Sequence, residues 1–438
     1  MQWGSDSNSG ILDTMESSLF QLAQAVSSGT SLVELFASAF NLVGLFFSSS
    51  IYWAPFVLPV IFWRVWMRYV RAQFIANQEC VLLEIRLPQE VMKSPLSMQA
   101  VLDGLWVKGG ESTFIDRMWT GKVRLWYSFE MASFEGQVHL YVWTRKAFQR
   151  LVERSFYAHY PDTEIVSVED YALAFPFSLE SHNLYGSDYE LGKHSGLPLK
   201  TFTEYSLDST TAKEEQKTDP MTHLLEFLGS MGKGEHLWIQ ILARAHKPED
   251  FTYGYGYNKQ SYEDMARAAI EKIRKSPEDA VVFADGGKGK ALSEEQKQTI
   301  KSIQRNVQAS YPWDVGVRVL YLAEHERYDG TNVSGMMGMW QPFSSPGYNT
   351  LRPAGRGQNS LDYPWQDYND MRQNRMKIKA IDAYRLRSWF HAPYRFRSFV
   401  ITSTELATLF HLPGTVAKTP TMQRIDSTRA SAPANLPF

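Results

Sequence analysis

The chain has 438 residues, a length that suggests two or three domains, and 44% of them are hydrophobic, which is enough for cores of ordinary size. A formal net charge of −2 argues against nucleic-acid binding by the molecule as a whole. A single cysteine excludes an intramolecular disulfide framework and fits a reducing compartment for the body of the chain.

Residues 1–40 form a polar N-terminal segment without lysine or arginine. Apolar residues recur at helical spacing within Ile11 to Val26, which predicts an amphipathic helix over this range. Ser31 to Phe40 continues this helix or forms a second, shallower membrane segment. The number of membrane segments in residues 31–66 therefore stays open.

An uncharged apolar run follows from Asn41 to Trp63. About 23 residues at about 1.5 Å each extend roughly 34 Å, and a hydrocarbon core is about 30 Å thick. The run predicts a transmembrane helix in an anchor region of residues 41–75. A buried helical hairpin broken at residues 48–50 is the alternative.

The flank of this run predicts its orientation. Basic residues favour the cytoplasmic side of a membrane, and tryptophan favours the interface. The flanking residues are Trp63, Arg64, Trp66, Arg68 and Arg71. We expect a single-pass protein of the cell membrane, with the lipid bilayer as a partner, the N-terminus outside and the bulk of the chain in the cytoplasm.

Residues 76–190 are predicted to be a first α+β domain, because the elements alternate as β-α-β-β-α-β, the split ferredoxin-like order. The predicted strands are Cys80–Leu87, Val123–Met131, Gly136–Thr144 and Glu164–Val168, and the helices are Leu96–Leu105 and Lys146–His159. Cys80 lies in an apolar run and is predicted to be a small core residue. The glycine-containing stretch Tyr171–Leu197 is predicted to be a linker.

Residues 196–350 are predicted to be a diverged second copy of this unit, with a polar insertion at 247–292. The predicted strands are Leu199–Thr203, His236–Ala245 and Val315–Ala323, and the helices are Met221–Met231 with Asp219 as N-cap, Tyr262–Lys275, Ser293–Ser310 and Asn332–Phe343. The predicted fold class is therefore α+β, with an N-terminal transmembrane helix followed by two ferredoxin-like (split β-α-β) α/β sandwich units.

Residues 351–438 are predicted to be a linker and a C-terminal motif segment, with strand-like character from Ala380 to Thr402. Thr402 and Glu405 form a capping-box pattern at the start of a short helix.

The sequence predicts no catalytic residue, no cofactor and no metal site. Gly229 and Gly234 have the spacing of a phosphate-binding loop, but Glu235 and His236 stand where lysine and a hydroxyl residue are needed. The loop around Lys290 also lacks the hydroxyl, and the histidines have no metal-ligand spacing.

One basic stretch, residues 372–397, interleaves cations with aromatic residues. This pattern suits single-stranded nucleic acid or a phosphate-rich surface. The alternative is a solvated strand face, or a patch that contacts the inner membrane leaflet or an acidic partner. Its arginines are Arg372, Arg375, Arg385, Arg387, Arg395 and Arg397.

Three stretches resemble the membrane-proximal accessory region that precedes the motor domain in conjugation and type IV secretion ATPases of the HerA/FtsK-like superfamily. They are residues 219–245, residues 302–326, and residues 401–414 continued by 419–437. The motif ITSTELATLFHLPG at 401–414 is the most specific part. In those relatives this motif leads directly into the ATPase domain.

This chain stops at Phe438 and contains no Walker A sequence. The resemblance therefore implies a non-enzymatic accessory protein that recruits or assembles a separate ATPase on the cytoplasmic membrane face. The predicted seat of that ATPase consists of Glu405, Leu406, Leu409, Phe410, His411 and Pro413, and a self-contained structural helix is the alternative. The alternative function is a membrane-anchored nucleic-acid-binding protein that acts through residues 372–397. DNA and a second copy of the chain are further partners left open.

Overall fold

The computed structural model describes residues 40, 44, 50–88, 93–209, 218–250, 257–258, 261–275, 279–282, 288–345, 347–354, 365, 367–414 and 424–425. The chain divides into two compact units, Met1–Tyr69 and Val70–Phe438. The predicted amphipathic helix near the N-terminus lies outside the described residues.

The first unit contains most of helix α1, Ser50–Ala76, whose apolar side chains, such as Phe56 and Phe62, are largely exposed. Among the described residues, no helix is both long enough and apolar enough to cross a membrane. From Ser50, about 14 residues pass before Arg64, which at about 1.5 Å each is roughly 21 Å. The predicted transmembrane helix and the single-pass location are therefore contradicted. Residues 41–43 and 45–49 of the predicted span lie outside the described residues.

The predicted membrane flank is the middle of helix α1. Its members differ in exposure, because they lie on different sides of the helix: Arg64 and Arg68 are exposed, Trp63 and Trp66 are half-buried, and Arg71 is buried.

Within the described residues of the second unit, nine strands form one antiparallel sheet, and a tenth, β14, runs parallel to β1. Two small hairpins, β7–β8 and β9–β10, lie outside this sheet. The strands are β1 Cys80–Pro88, β2 Tyr127–Phe134, β3 Gln137–Arg145, β4 Glu164–Val168, β5 His182–Leu191, β6 Glu235–Ala245, β7 Glu249–Asp250, β8 Tyr257–Asn258, β9 Asp279–Val282, β10 Lys288–Ala291, β11 Pro312–Glu324, β12 Leu351–Pro353, β13 Phe399–Thr402 and β14 Arg424–Ile425.

Helices connect these strands and cover both faces of the sheet. After α1 they are α2 Pro95–Leu105, α3 Phe114–Met118, α4 Gln149–His159, α5 Tyr171–Ala174, α6 Pro220–Gly229, α7 Tyr262–Lys275, α8 Glu294–Ala309, α9 Gly330–Gly338, α10 Met371–Arg385 and α11 Ser403–Leu409.

The strand order repeats within the sheet. One half has the order β4-β1-β3-β2 and the other β12-β5-β11-β6, and strands β2 and β6 pair antiparallel, with Tyr127 opposite Ala243 and Phe134 opposite His236. The chain is α+β, as predicted. The two halves are not separate sandwich units, however, because their strands belong to one continuous sheet. Without the β2–β6 pair, β2 would be an edge strand of one half and β6 an edge strand of the other, each with unpaired backbone groups. Their pairing removes these two edges.

Three segments differ from the predicted secondary structure. The predicted linker Tyr171–Leu197 contains α5 and β5, while Leu199–Thr203 forms no strand. Gly186 was one of the glycines that suggested a linker, but it lies within β5, where a larger residue does not fit. A Cβ at this position would lie 2.9 Å from Leu320 and 3.0 Å from Ala380. The predicted strand-like region Ala380–Thr402 is the end of helix α10, an irregular segment and the short strand β13.

The two faces of the sheet carry different cores. Helices α2, α4, α6 and α11 cover one face with aliphatic and aromatic residues, for example Phe129 against Phe410 with ring centroids 5.3 Å apart. Helices α5 and α10 and the segment 386–398 cover the other face, whose core includes Trp143, Trp238 and Trp389. Charged side chains are also buried on this second face.

Gly316 in β11 provides a test of this packing. A Cβ at Gly316 would lie 2.0 Å from Cε2 of Trp389, a buried ring that cannot move away freely. We expect Gly316→Ala to lower the free energy of unfolding by about 3 kcal/mol or more in urea titrations, because overpacking distorts a dense core. Gly330→Ala is the control, since nothing lies within 4 Å of its added Cβ. Equal stability of the two variants would contradict this packing.

Candidate functional site

The C-terminal motif forms helix α11 with the predicted capping box. Thr402 Oγ1 accepts a hydrogen bond from the backbone N–H of Glu405, and Glu405 Oε2 accepts one from the backbone N–H of Thr402 at 2.7 Å. Glu405 Oε1 accepts a third hydrogen bond, from the N–H of Leu199 at 2.8 Å. Burial raises the pKa of Glu405 to about 7. The hydrogen bond to Leu199 therefore connects Glu405, and with it α11, to the loop that follows β5.

The six residues of the predicted ATPase seat all lie in the interior. Five of them are at most 2% exposed, and Pro413 is also buried. They are Glu405, Leu406, Leu409, Phe410, His411 and Pro413. The side chains of Leu406, Leu409 and Phe410 belong to the core that α2, α4, α6 and α11 form on one face of the sheet. This burial agrees with the alternative of a self-contained structural helix.

His411 joins this motif to the start of helix α6. Its Nε2 lies 3.1 Å from Oδ2 of Asp219, and its Nδ1 lies 3.0 Å from the carbonyl oxygen of Ala407. Burial alone would lower the pKa of His411, but the charge of Asp219 and these hydrogen bonds raise it. The same pair lowers the pKa of Asp219 against the effect of burial. Asp219 also accepts from the N–H of Met221 and caps α6, as the sequence predicted.

The predicted basic stretch divides into exposed and internal residues. Arg372, Arg375, Arg395 and Arg397 are exposed. Arg385 is half-buried and donates to the carbonyl oxygens of Ala172 and Phe175 at 2.8 and 2.7 Å. Arg387 is 1% exposed. The six arginines therefore do not share one surface.

Arg387 holds segment 386–398 against the second face of the sheet. Its Nε and Nη2 donate to the two carboxylate oxygens of Glu130 at 3.0 and 3.1 Å, and Nη2 also donates to Asp170 at 3.0 Å. Glu130 further accepts from Tyr171 and Gln240. Arg387 has a φ of 45°, a left-handed conformation that costs a non-glycine residue about 1–2 kcal/mol. The buried ion pairs offset this cost.

A second group of buried charges surrounds Asp314 at the start of β11. Its carboxylate accepts from Nε of Arg244 at 3.0 Å and Nδ1 of His246 at 2.7 Å, and Arg124 Nη1 lies 3.8 Å away. Arg124 also pairs with Glu111 at 3.1 Å. Burial alone would raise the pKa of Asp314, but these cations hold it well below its usual range.

This second group of buried charges was not predicted from the sequence. One feature of the sequence could have indicated it: Arg244 lies in the hydrophobic strand sequence ILARA. A charged side chain at such a position needs a buried partner. Asp314 lies 70 residues further along the chain, and no local pattern connects the two.

The structure also locates the other sequence features that were considered for chemistry: the histidines, the glycines of the loop that resembles a phosphate-binding loop, and the cysteine. Among the described residues, no group of three or more His, Cys, Asp or Glu side chains could hold a metal ion. Gly229 ends α6, and Gly234 has a φ of 80° in the turn before β6. Cys80 is exposed at the first position of β1, so the prediction of a core cysteine was wrong.

Comparison with known protein families gives one match. Residues 114–425 match a family described as a domain of unknown function, DUF8128. This region covers more than half of the 438 residues. The chain belongs to the DUF8128 family. No curated protein matches it. The DUF8128 match includes both buried charge groups except Glu111, and it begins after β1 and α2, although β1 pairs within the same sheet.

The pair His411–Asp219 predicts a pH-dependent stability. A raised histidine pKa gives stabilisation that is complete below the ordinary value of about 6.5 and is lost as pH rises through the raised value. Asp219, whose pKa is lowered, contributes stability that is lost only as pH falls through that lowered value. We expect His411→Gln to reduce the free energy of unfolding more at about pH 6 than at about pH 9.

Urea unfolding at both pH values measures this difference. The control is His223→Gln, since His223 is exposed on α6. A loss in His411→Gln that is the same at both pH values would contradict the charged pair.

Arg387 provides a second test, because its removal leaves two carboxylates without their cation. We expect Arg387→Ala to lower the free energy of unfolding by about 3–5 kcal/mol, and the exposed control Arg397→Ala by less than about 0.5 kcal/mol. Similar small losses in both variants would show that the Arg387 pairs do not hold segment 386–398.

Proposed function

We propose that this protein is a non-enzymatic accessory protein that recruits or assembles a separate ATPase of the conjugation and type IV secretion class. The observation that supports the proposal is the contact between the three stretches that carry the resemblance. A short sequence similarity is weak support for a shared function when it stands alone. Several similar stretches support it better when they contact one another in the fold.

The described parts of the three stretches form one structural block, and residues 419–423 and 426–437 lie outside the described part of the chain. Strand β11 pairs with the whole length of β6, from Trp313 opposite Ala245 to Ala323 opposite Glu235. Strand β13 pairs with the start of β11, where Ile401 lies opposite Trp313. Helices α6 and α11 are joined by the His411–Asp219 pair. We call this the motif block; it consists of residues 219–245, 302–326 and 401–414.

Because the motif side chains are internal, an ATPase would contact exposed residues of the motif block. Helix α6 offers such a face next to the C-terminal motif, since its cap residue Asp219 contacts His411. His223 and Glu226 lie one helical turn apart on the exposed side of α6. We therefore expect the ATPase to bind across this face of α6.

The test is affinity purification of the tagged full chain from its native cells after mild cross-linking. We expect a protein with a Walker A motif to co-purify in stoichiometric amount, and purified chain alone to show no ATP hydrolysis. The double variant His223→Ala with Glu226→Arg should lose that ATPase, while Glu271→Arg, on the exposed side of α7, should keep it. ATP hydrolysis by the pure chain, or recovery of no ATPase, would contradict the proposal.

A second candidate function, nucleic-acid binding, is favoured by the exposed side of helix α10. Arg372, Arg375 and Lys379 follow each other at helical spacing on that side, and the ring of Tyr368 just before the helix is 80% exposed. Exposed cations next to an aromatic ring can bind the phosphates and a stacked base of single-stranded nucleic acid.

Fluorescence anisotropy with single-stranded DNA tests this candidate. We expect binding to weaken steeply with salt and to fall about tenfold in the triple alanine variant of Arg372, Arg375 and Lys379. The control is Lys377→Ala, because Lys377 donates to Asn183 within the protein at 2.7 Å. No binding at low salt would exclude this function.

A further inference from the structure

Four exposed apolar side chains of helix α1 form one stripe along its surface. Leu58, Phe62, Val65 and Tyr69 are between 58% and 63% exposed, and all four belong to the first compact unit. They recur at intervals of four, three and four residues, so they lie on one side of the helix over about three turns. This spacing is that of the apolar seam along which two helices pair. We call these four side chains the α1 stripe.

The α1 stripe lies opposite the buried side of the helix. Met67 and Val70, which are 2% and 5% exposed, lie one turn apart on that buried side. A step of two residues turns an α-helix by about 200°, so Val65 and Tyr69, two residues before and after Met67, face the other way. The packing that covers Met67 therefore leaves the α1 stripe open.

Trp66 holds two rings of the α1 stripe in place. Its ring centroid lies 6.2 Å from that of Phe62 and 6.2 Å from that of Tyr69. Side chains that are ordered before binding lose less conformational entropy when a partner covers them. The stripe therefore presents aromatic surface that is already positioned for a partner.

Helix α1 exposes as much apolar surface as a protein interface buries. Nine large apolar side chains of its described residues are at least 41% exposed: Tyr52, Phe56, Val57, Leu58, Val60, Ile61, Phe62, Val65 and Tyr69. Side chains of this size and exposure present about 50–150 Å² each, so together they present roughly 800 Å². Monomeric proteins rarely expose an apolar patch of more than a few hundred Å², whereas one partner of a stable complex buries about 800 Å².

The distribution of charge along α1 favours a second copy of the same helix in parallel orientation. Seven of the nine exposed apolar side chains lie between Tyr52 and Phe62, where the sequence has no charge, and exposed Arg64 and Arg68 follow. In a parallel pair, the uncharged half of one helix meets the uncharged half of the other. An antiparallel pair would place these arginines beside apolar side chains, and removing a cation from water in this way is costly.

We propose that two copies of this chain associate through the α1 stripe, with the two helices parallel. A two-fold axis along the pair places each residue of the stripe beside the same residue of the second copy, so the surface is complementary to itself. Helix α1 lies outside the motif block. The association is therefore independent of the proposed ATPase partner, and either proposal can fail without the other.

Sedimentation equilibrium of the purified full chain tests the association. At about 20 μM we expect a mass of twice the 50.2 kDa of one chain. Phe62→Glu should raise the dissociation constant about 100-fold, because it places a carboxylate in the seam between the helices. The matched control is Phe56→Glu, which should leave the mass unchanged. Phe56 is 77% exposed and lies eleven residues, about three turns, before Met67, on the side away from the stripe.

Two results of this measurement would overturn the proposal. One is a wild-type chain that stays monomeric at about 20 μM. The other is an equal loss of association in Phe56→Glu and Phe62→Glu, because the stripe would then not be the contact.

Disulfide cross-linking tests the orientation, and it stays informative if a glutamate variant fails to fold. Because Cys80 is the single cysteine, Cys80→Ser gives a background in which Leu58→Cys or Tyr69→Cys introduces one thiol. In a parallel pair, each of these variants should form a disulfide with its own second copy under mild oxidation, and Phe56→Cys should not. Disulfides that form only between the two variants after mixing, or none at all, would overturn the proposal.

The same cross-link separates a second copy of the chain from a lipid surface as the occupant of the stripe. We expect the disulfide of the Leu58→Cys variant to form equally well with and without phosphatidylcholine vesicles. Loss of this disulfide when vesicles are added, with the chain floating with the vesicles, would show that lipid covers the stripe and would overturn the proposal.

Discussion

The pairing of β2 with β6 is the contact on which the rest of the structure depends. It makes one sheet from two halves that share a strand order, and it protects the edge that each half would expose. It also places Glu130 opposite Gln240, whose amide donates to Glu130 at 3.1 Å and to the carbonyl oxygen of Tyr384 at 3.1 Å. Helix α10 and segment 386–398 are therefore fixed over the junction of the two halves, where Arg387 completes the network.

The two faces of this sheet differ in the interactions that stabilise the elements packed on them. The first face is stabilised by apolar packing and includes the C-terminal motif, so that motif is part of the core. The second face buries arginines, and burying a charge is costly unless it is paired. Arg387 is fully paired by Glu130 and Asp170, whereas Arg145 has no carboxylate partner among the described residues.

Local signals made part of this structure predictable. Asp219, Ser293 and Thr402 each begin a helix with a side-chain cap, and hydrogen bonds within a few residues determine such positions. The errors came from long-range contacts. Gly186 suggested a linker, although it is required by packing between β5 and its neighbours, and the burial of Arg387 depends on Glu130, 257 residues away. The pattern of one stretch contains no information about such partners.

The C-terminal motif therefore lies in the interior of the motif block, and we assign the proposed recruitment of a partner to the exposed surface of that block. Hydrogen–deuterium exchange of the full chain, read by mass spectrometry, tests this claim most directly. We predict that the amides of α11 exchange as slowly as those of β6 and β11, because all three open only when the sheet opens. Fast exchange of α11 beside a protected sheet would contradict the account, since the motif would then be a detachable segment free to bind a partner itself.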